Sequence, residues 1–144
     1  LGLKLSANRI DDIVGGNVGV EPRIAVMYTE AVVRRGLSLV RFADLVSTNA
    51  ARILGLYPRK GVIAVGSDAD LAVLDPSRRG KIRATELYAS DYTPWEGHDI
   101  HAWPVATVMR GRVVMENGRF EGKAGDGRYL KRKISSDVLA GAAL

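Results

Sequence analysis

Both histidines of the chain fall in one short run, Trp95-Glu96-Gly97-His98-Asp99-Ile100-His101. Imidazoles and carboxylates this close together are donor types that bind divalent metals. The spacing argues otherwise. His98 and His101 are three apart and lack the i,i+4 relation of a helical zinc motif, and no third strong ligand stands at a fixed distance. Packing is therefore the expected role, with Trp95 and Trp103 anchoring the surrounding loop against a larger body such as another domain or subunit. A second acidic pair, Asp68 and Asp70, brackets Ala69 just ahead of the apolar run at 71–74. Turn carboxylates of this kind bond nearby backbone amides, and a structural role is expected over metal binding. The third candidate is the glycine-rich stretch 14–22, VGGNVGVEP, in which Gly15, Gly16 and Gly19 permit positive φ and close approach of a ligand to the backbone. By its residues alone it reads as a tight turn before a helix. It is not a phosphate loop, because no Gly-Lys-Ser/Thr follows. There is no cysteine, which excludes disulfides, thiolate metal sites and a cysteine nucleophile.

The elements that must position these groups can be read in outline. Ile24, Met27, Tyr28, Ala31 and Val32 form one stripe of a helix over 23–35, with Glu30 and Arg34 paired at i,i+4 and Gly36 ending it. Ser38 is placed to cap a second helix over 39–46, and Ser47, Thr48 or Asn49 a third that Gly55 and Pro58 stop. Two short strands are expected within 62–74, around a turn at 66–68. Residues 81–83 suggest an edge strand, 85–91 an extended piece or a single turn, and 91–104 an irregular loop broken by Pro94, Gly97 and Pro104. A meander follows, with tight turns at Arg110-Gly111-Arg112 and at Asn117-Gly118. Residues 122–127 read as flexible, and the tail to Leu144 as an arm or disordered.

The 144 residues are one domain's worth of chain. The net charge of +5 raises nucleic acid as a partner, but the 21 Lys and Arg are dispersed, with one tight cluster at 131–133, and no recognition motif accompanies them. No nucleic-acid partner is expected. No apolar run approaches the ~18 residues of a membrane span, so no membrane partner is expected either. The lack of cysteine fits a reducing compartment, and the cytoplasm is the expected location.

Three pieces in order carry a resemblance: GGNVGVEPRIAVMYTEAVVRRG, then NAARILGLYPRKGVIAVGSDADLAVLDP, then DYTPWEGHDIHAWPVATVMRGRVVMENGRF. Together they resemble the C-terminal region of the cyclic amidohydrolases of the dihydropyrimidinase and hydantoinase family. The GxDAD element alone occurs across the wider superfamily; joined to GLYPRKG it is more specific. The resemblance runs from about residue 10 to 133 and matches only the last third of such an enzyme. It implies an α+β fragment: closing helices of a (β/α)8 metal-dependent hydrolase barrel, followed by part of a small β-sandwich. Residues 1–61 would be the barrel's C-terminal loop and helices, 62–121 the sandwich portion with its irregular loop 91–104, and 122–144 a C-terminal arm.

The resemblance also implies a function. Such enzymes open dihydropyrimidine, hydantoin or related ureide rings by attack of a water activated by a divalent metal pair, zinc by expectation, bridged by a carboxylated lysine. The histidines, lysine and aspartate that hold those metals have no counterpart here, so this chain alone is expected to be inactive, with no catalytic and no metal-binding residue of its own. The implied partners are the missing N-terminal barrel portion, further copies in a homodimer or tetramer, and a small cyclic amide. The candidate substrate-binding residues are Gly15, Gly16 and Asn17. When Glu21 and Arg23 are aligned with the family's acidic-basic pair, Gly15 stands where hydantoinases carry an asparagine that holds the ring amide. A backbone contact survives that change; a side-chain contact does not. Two rival readings remain: a non-catalytic scaffold protein of the same ancestry, and a free-standing basic binding domain.

Overall fold

The computed structural model describes residues 2–12, 16, 18–88 and 91–141. After a short helix α1 (Gly2–Leu5) and a 3-10 turn at Ile10–Asp12, two longer helices form the helical layer. Helix α2 starts at Arg23–Tyr28 and continues as a wide π-helical stretch, Thr29–Arg34. It ends as its stripe predicts, with Gly36 at φ +67° donating its N–H to the Val32 carbonyl.

Helix α3 comprises Leu39–Ala43, a wide turn Asp44–Thr48, and Asn49–Ile53. Ser38 caps it, its hydroxyl accepting the Arg41 N–H at 3.2 Å. Three helices were expected over this region, and two form. Thr48 keeps helical φ and ψ, and its hydroxyl donates to the Gly61 carbonyl at 2.8 Å instead of capping. Edge-on contact of the Tyr28 and Phe42 rings, centroids 5.6 Å apart, packs α2 against α3.

Gly55 stops α3 at φ +69°, and the Tyr57–Pro58 peptide is cis. The first strand expected at 62–65 does not form. Ile63 and Val65 are 87% and 108% exposed, and the segment folds as a loop closed by Asp68 N–H to the Arg59 carbonyl and Ser67 hydroxyl to the Pro58 carbonyl. An apolar run becomes a strand only if a neighbour supplies a ladder, and among the described residues none does.

The sheet has strands β1 (Leu71–Asp75), β4 (Trp103–Met109), β5 (Arg112–Glu116) and β6 (Arg119–Phe120), all antiparallel, in the order β1-β4-β5-β6. Both hairpin turns are as expected: Arg110 and Gly111 lie at φ +48° and +81°, Asn117 and Gly118 at +46° and +80°. Positive φ at both central residues matches the strands' twist.

A separate two-stranded arm pairs β2 (Gly80–Lys81) with β3 (Asp99–Ile100). Among the described residues between them is a 3-10 turn, Ala84–Glu86. The region 91–104 is thus less irregular than expected, since it contains β3 and the start of β4. The core lies where α2 meets this arm: Ala25, Val26, Ile82 and Ile100, with Leu87 and Trp103 packed on it. Trp103 therefore anchors its loop on the chain's own core. Within 122–127, expected to be flexible, the Asp126 carboxylate accepts from Lys123 N–H at 2.9 Å and pairs with Arg112. The tail returns to the helical layer, where Lys133 N–H donates to the Gly55 carbonyl at 3.0 Å, and ends in helix α4 (Ser136–Leu139). No helix among the described residues is long and apolar enough to cross a membrane.

Candidate functional site

The glycine loop leads directly into α2. Of its expected substrate-binding residues, Gly15 and Asn17 lie outside the described residues; Gly16 is described, exposed and at φ +80°. Gly19 follows at φ +143°. Pro22 is fully buried, and its carbonyl accepts the Val26 N–H at 3.0 Å in the first turn of the helix. The Glu21 carboxylate accepts the Tyr88 N–H at 2.9 and 3.1 Å, one distance to each oxygen. A methyl built on Gly19 would touch Trp95 Nε1 at 3.5 Å and Pro94 Cγ at 3.8 Å. Two segments nearly 70 positions apart in sequence thus meet at this loop.

The histidines do not converge. His98 Nε2 is buried 3.4 Å from Glu30 Oε1 without a hydrogen bond to it, and that oxygen accepts from Arg34 at 2.8 Å. The His98 ring stands edge-on to Trp95, centroids 5.4 Å apart. His101 contributes its backbone: its N–H donates at 3.0 Å to the hydroxyl of Thr29, which is fully buried and itself donates to the Ala25 carbonyl. The neighbouring carboxylates are engaged elsewhere. Glu96 accepts from Ala84 N–H at 2.7 Å and pairs with Arg83, and these contacts hold it below the usual carboxylate range. Asp99 is lowered likewise by its 2.7 Å hydrogen bond from Lys81. Among the described residues no three metal-binding side chains come together.

Asp68 and Asp70 have the structural role expected of them, with more distant partners than a local turn supplies. Asp68 accepts from Lys60 and Arg59 at 2.8 and 3.0 Å, which lowers its pKa. Asp70 pairs with Lys60 and accepts the Arg110 N–H at 2.7 Å; these outweigh the burial that opposes its charge and leave its pKa lowered. Burial likewise opposes the Lys60 ammonium, and the two carboxylates overcome it and raise its pKa. The network joins the loop after α3 to β1 and to the β4–β5 turn.

A cavity of about 190 Å³ adjoins the β2–β3 arm, bordered by Arg78, Arg79, Arg83, Leu87 and Trp103, and none of the described glycine-loop residues line it. Thr29 did not stand out in the sequence, where Glu30 was read only as a helical partner of Arg34 and Trp95 only as a loop anchor. Thr29 sits four positions after Ala25 on the buried face, a position where a hydroxyl requires partners.

Residues 7–114 match the model of the amidohydrolase family, and the chain belongs to that family. It is 39% identical over 132 residues to a D-phenylhydantoinase of Escherichia coli O1:K1, covering 91% of this chain and 29% of the relative. Against a D-hydantoinase of Geobacillus stearothermophilus the identity is 41%, over 89% of this chain and 27% of the relative. Among solved structures, D-hydantoinase (dihydropyrimidinase) from Thermus sp. superposes with a TM-score of 0.79 at 43% identity, covering 85% of this chain and 27% of that one. D-hydantoinase from Bacillus sp. AR9 gives 0.84 at 37%, with 92% and 29% covered. The chain therefore spans less than a third of the length of these relatives.

Proposed function

We propose that this chain is the C-terminal part of a metal-dependent hydrolase that opens cyclic amides: a dihydropyrimidine, a hydantoin or a related ureide. The observation that carries this is the match of fold and sequence together, TM-scores of 0.79 and 0.84 at 43% and 37% identity over nearly the whole chain, to enzymes named hydantoinase. In this reading residues 1–61 close a barrel, 62–121 contribute to a sandwich, and 122–144 form an arm. The remaining barrel portion and further copies of the protein are its partners, and its setting is cytoplasmic.

The glycine loop, with Gly15, Gly16 and Asn17, faces the ring. Its backbone N–H and C=O groups are the complement of a ring amide, which offers one acceptor and one donor. Hydrolysis adds water to the ring carbonyl carbon and breaks the C–N bond, and the ring nitrogen leaves with a proton. The described residues do not fit a metal pair, so water activation by divalent metals and a carboxylated lysine falls to the rest of the longer protein. By itself the chain is expected to hydrolyse none of these rings. The scaffold alternative gains no support from the relatives, which carry enzyme names.

The test uses the intact natural polypeptide that carries this sequence. Ring opening of dihydrouracil, hydantoin and allantoin is followed by loss of ultraviolet absorbance, before and after chelation and metal return. Opening of at least one ring, lost on chelation and restored by a divalent metal, is expected. No opening of any ring by metal-replete protein would overturn the proposal.

A further inference from the structure

We propose that Trp95 is a positioning residue for the described end of the glycine loop, residues 18–21, a platform beside Gly19 that keeps this backbone in the shape the ring substrate meets. The inference rests on the reading that this loop faces substrate.

The loop needs such support. Gly16 and Gly19 sit at φ +80° and +143°, and glycine loses more conformational freedom on ordering than any other residue. A glycine-rich loop therefore has little intrinsic reason to keep one shape. A displacement of about 1 Å at a substrate contact can cost about 100-fold in rate.

Trp95 is held as a platform must be. It lies in the turn Thr93-Pro94-Trp95-Glu96-Gly97, whose Thr93 is buried and accepts the Trp95 N–H through its hydroxyl at 3.2 Å. Its own carbonyl accepts the His98 N–H at 2.9 Å. Gly97 N–H donates to the Ile82 carbonyl at 2.8 Å, and Ile82 N–H to the His98 carbonyl at 3.0 Å. Ile82 is 2% exposed and belongs to the core. Glu96 adds its bond to Ala84 N–H, and the His98 ring fills the space between the indole and Glu30 of α2. The turn is thus fastened to the core on one side and presents the indole and Pro94 to Gly19 on the other. A second tether, Glu21 to Tyr88 N–H, fixes the loop's exit. Trp95 is itself 36% exposed, so its removal empties no sealed core site.

The test compares wild type, W95A and W95F in the intact natural polypeptide by amide hydrogen exchange and by steady-state kinetics, with metal content and unfolding midpoint measured alongside. In W95A, amides of residues 18–21 are expected to exchange about tenfold faster or more, reflecting a lower local opening free energy. Amides of β4 and β5 should keep their wild-type rates and metal content should be unchanged. With the ring that wild type opens, kcat/KM is expected to fall about tenfold or more. W95F retains a flat ring and should recover most of both effects. If W95A does not fold, W95L serves in its place.

Wild-type exchange at residues 18–21 in a folded W95A or W95L variant overturns the inference. So does equal impairment of W95F and W95A that simply follows the unfolding midpoint. Should wild type open no ring at all, the functional proposal fails, while the exchange comparison still decides whether Trp95 holds the loop.

Discussion

Replacing Gly61 with alanine would drive a methyl group into helix α3. At φ +83° the new Cβ would lie 2.5 Å from Ala51 Cβ, 3.1 Å from Thr48 Cα and 3.3 Å from the Ser47 carbonyl oxygen. Two costs add. Left-handed backbone at a residue with a Cβ costs about 1–2 kcal/mol. Overpacking against a helix that cannot retreat, with Ala51 6% exposed, costs about 1–3 kcal/mol more. G61A should therefore lose about 2–5 kcal/mol by urea denaturation, with an unchanged m-value. Gly36 supplies the control: its φ of +67° is similar, but nothing lies within 4 Å of a built Cβ. G36A should show the backbone cost alone, about 1–2 kcal/mol. A double-mutant cycle isolates the contact. In A51G/G61A the nearest methyl is gone, and the coupling should be favourable by about 1–2 kcal/mol, within the range seen for touching residues. Relief stays partial because Thr48 and Ser47 remain. Equal losses in G61A and G36A, or strictly additive single mutants, would refute the argument that the loop after α3 lies directly on the helix.

Two further predictions follow from named contacts. Thr29→Val keeps the shape but leaves the His101 N–H without its acceptor, and should lower stability by about 1–3 kcal/mol; a denaturant midpoint equal to wild type would show that the His101 amide finds another partner. The Lys60–Asp68–Asp70 network should bound a pH window. The two aspartates have lowered folded pKa values, so their contribution is full above the unfolded value of about 3.9 and lost as pH falls through the folded values. Lys60 is raised, so its contribution is full below about 10.4 and lost as pH rises through the folded value. The stability gap between wild type and K60M should accordingly be widest between those limits and close at both ends; a gap independent of pH would remove the network as its source.

Features set by one or two adjacent residues were legible in the sequence. Ser38 caps α3, Gly36 and Gly55 end helices in the left-handed region, and Arg110-Gly111 and Asn117-Gly118 make the hairpin turns. These depend on local φ and on a single hydroxyl, both encoded on the spot. Features that depend on a distant partner were not. The run at 62–65 has strand composition, yet no ladder among the described residues receives it. Thr48 has a capping side chain, yet Gly61, thirteen positions on, takes its hydroxyl and lets the helix continue. The same holds for the site: Gly19, Glu21 and Trp95 each stood out in the sequence for a separate reason, but that they meet, with Tyr88, in one unit follows only from contacts across the chain. The family resemblance located the glycine loop; the support beneath it required three dimensions.

The bond from Lys133 to Gly55 imposes an order in time on the making of this protein. Gly55 lies just past the end of α3: the helix-end carbonyls of Ala51 and Arg52 are answered at once by the N–H groups of residues 55–57, whereas the Gly55 carbonyl is answered by a residue 78 positions later, counting from 55 to 133. At about 5–20 residues per second of synthesis, the end of α3 leaves the ribosome roughly 4–16 s before the segment that closes over it. During that interval water must serve the Gly55 carbonyl, and the loop from residue 56 onward folds beside a turn that the tail has not yet covered. The tail is thus the last closure of the helical layer, although it is separated from that layer in sequence by the whole sheet.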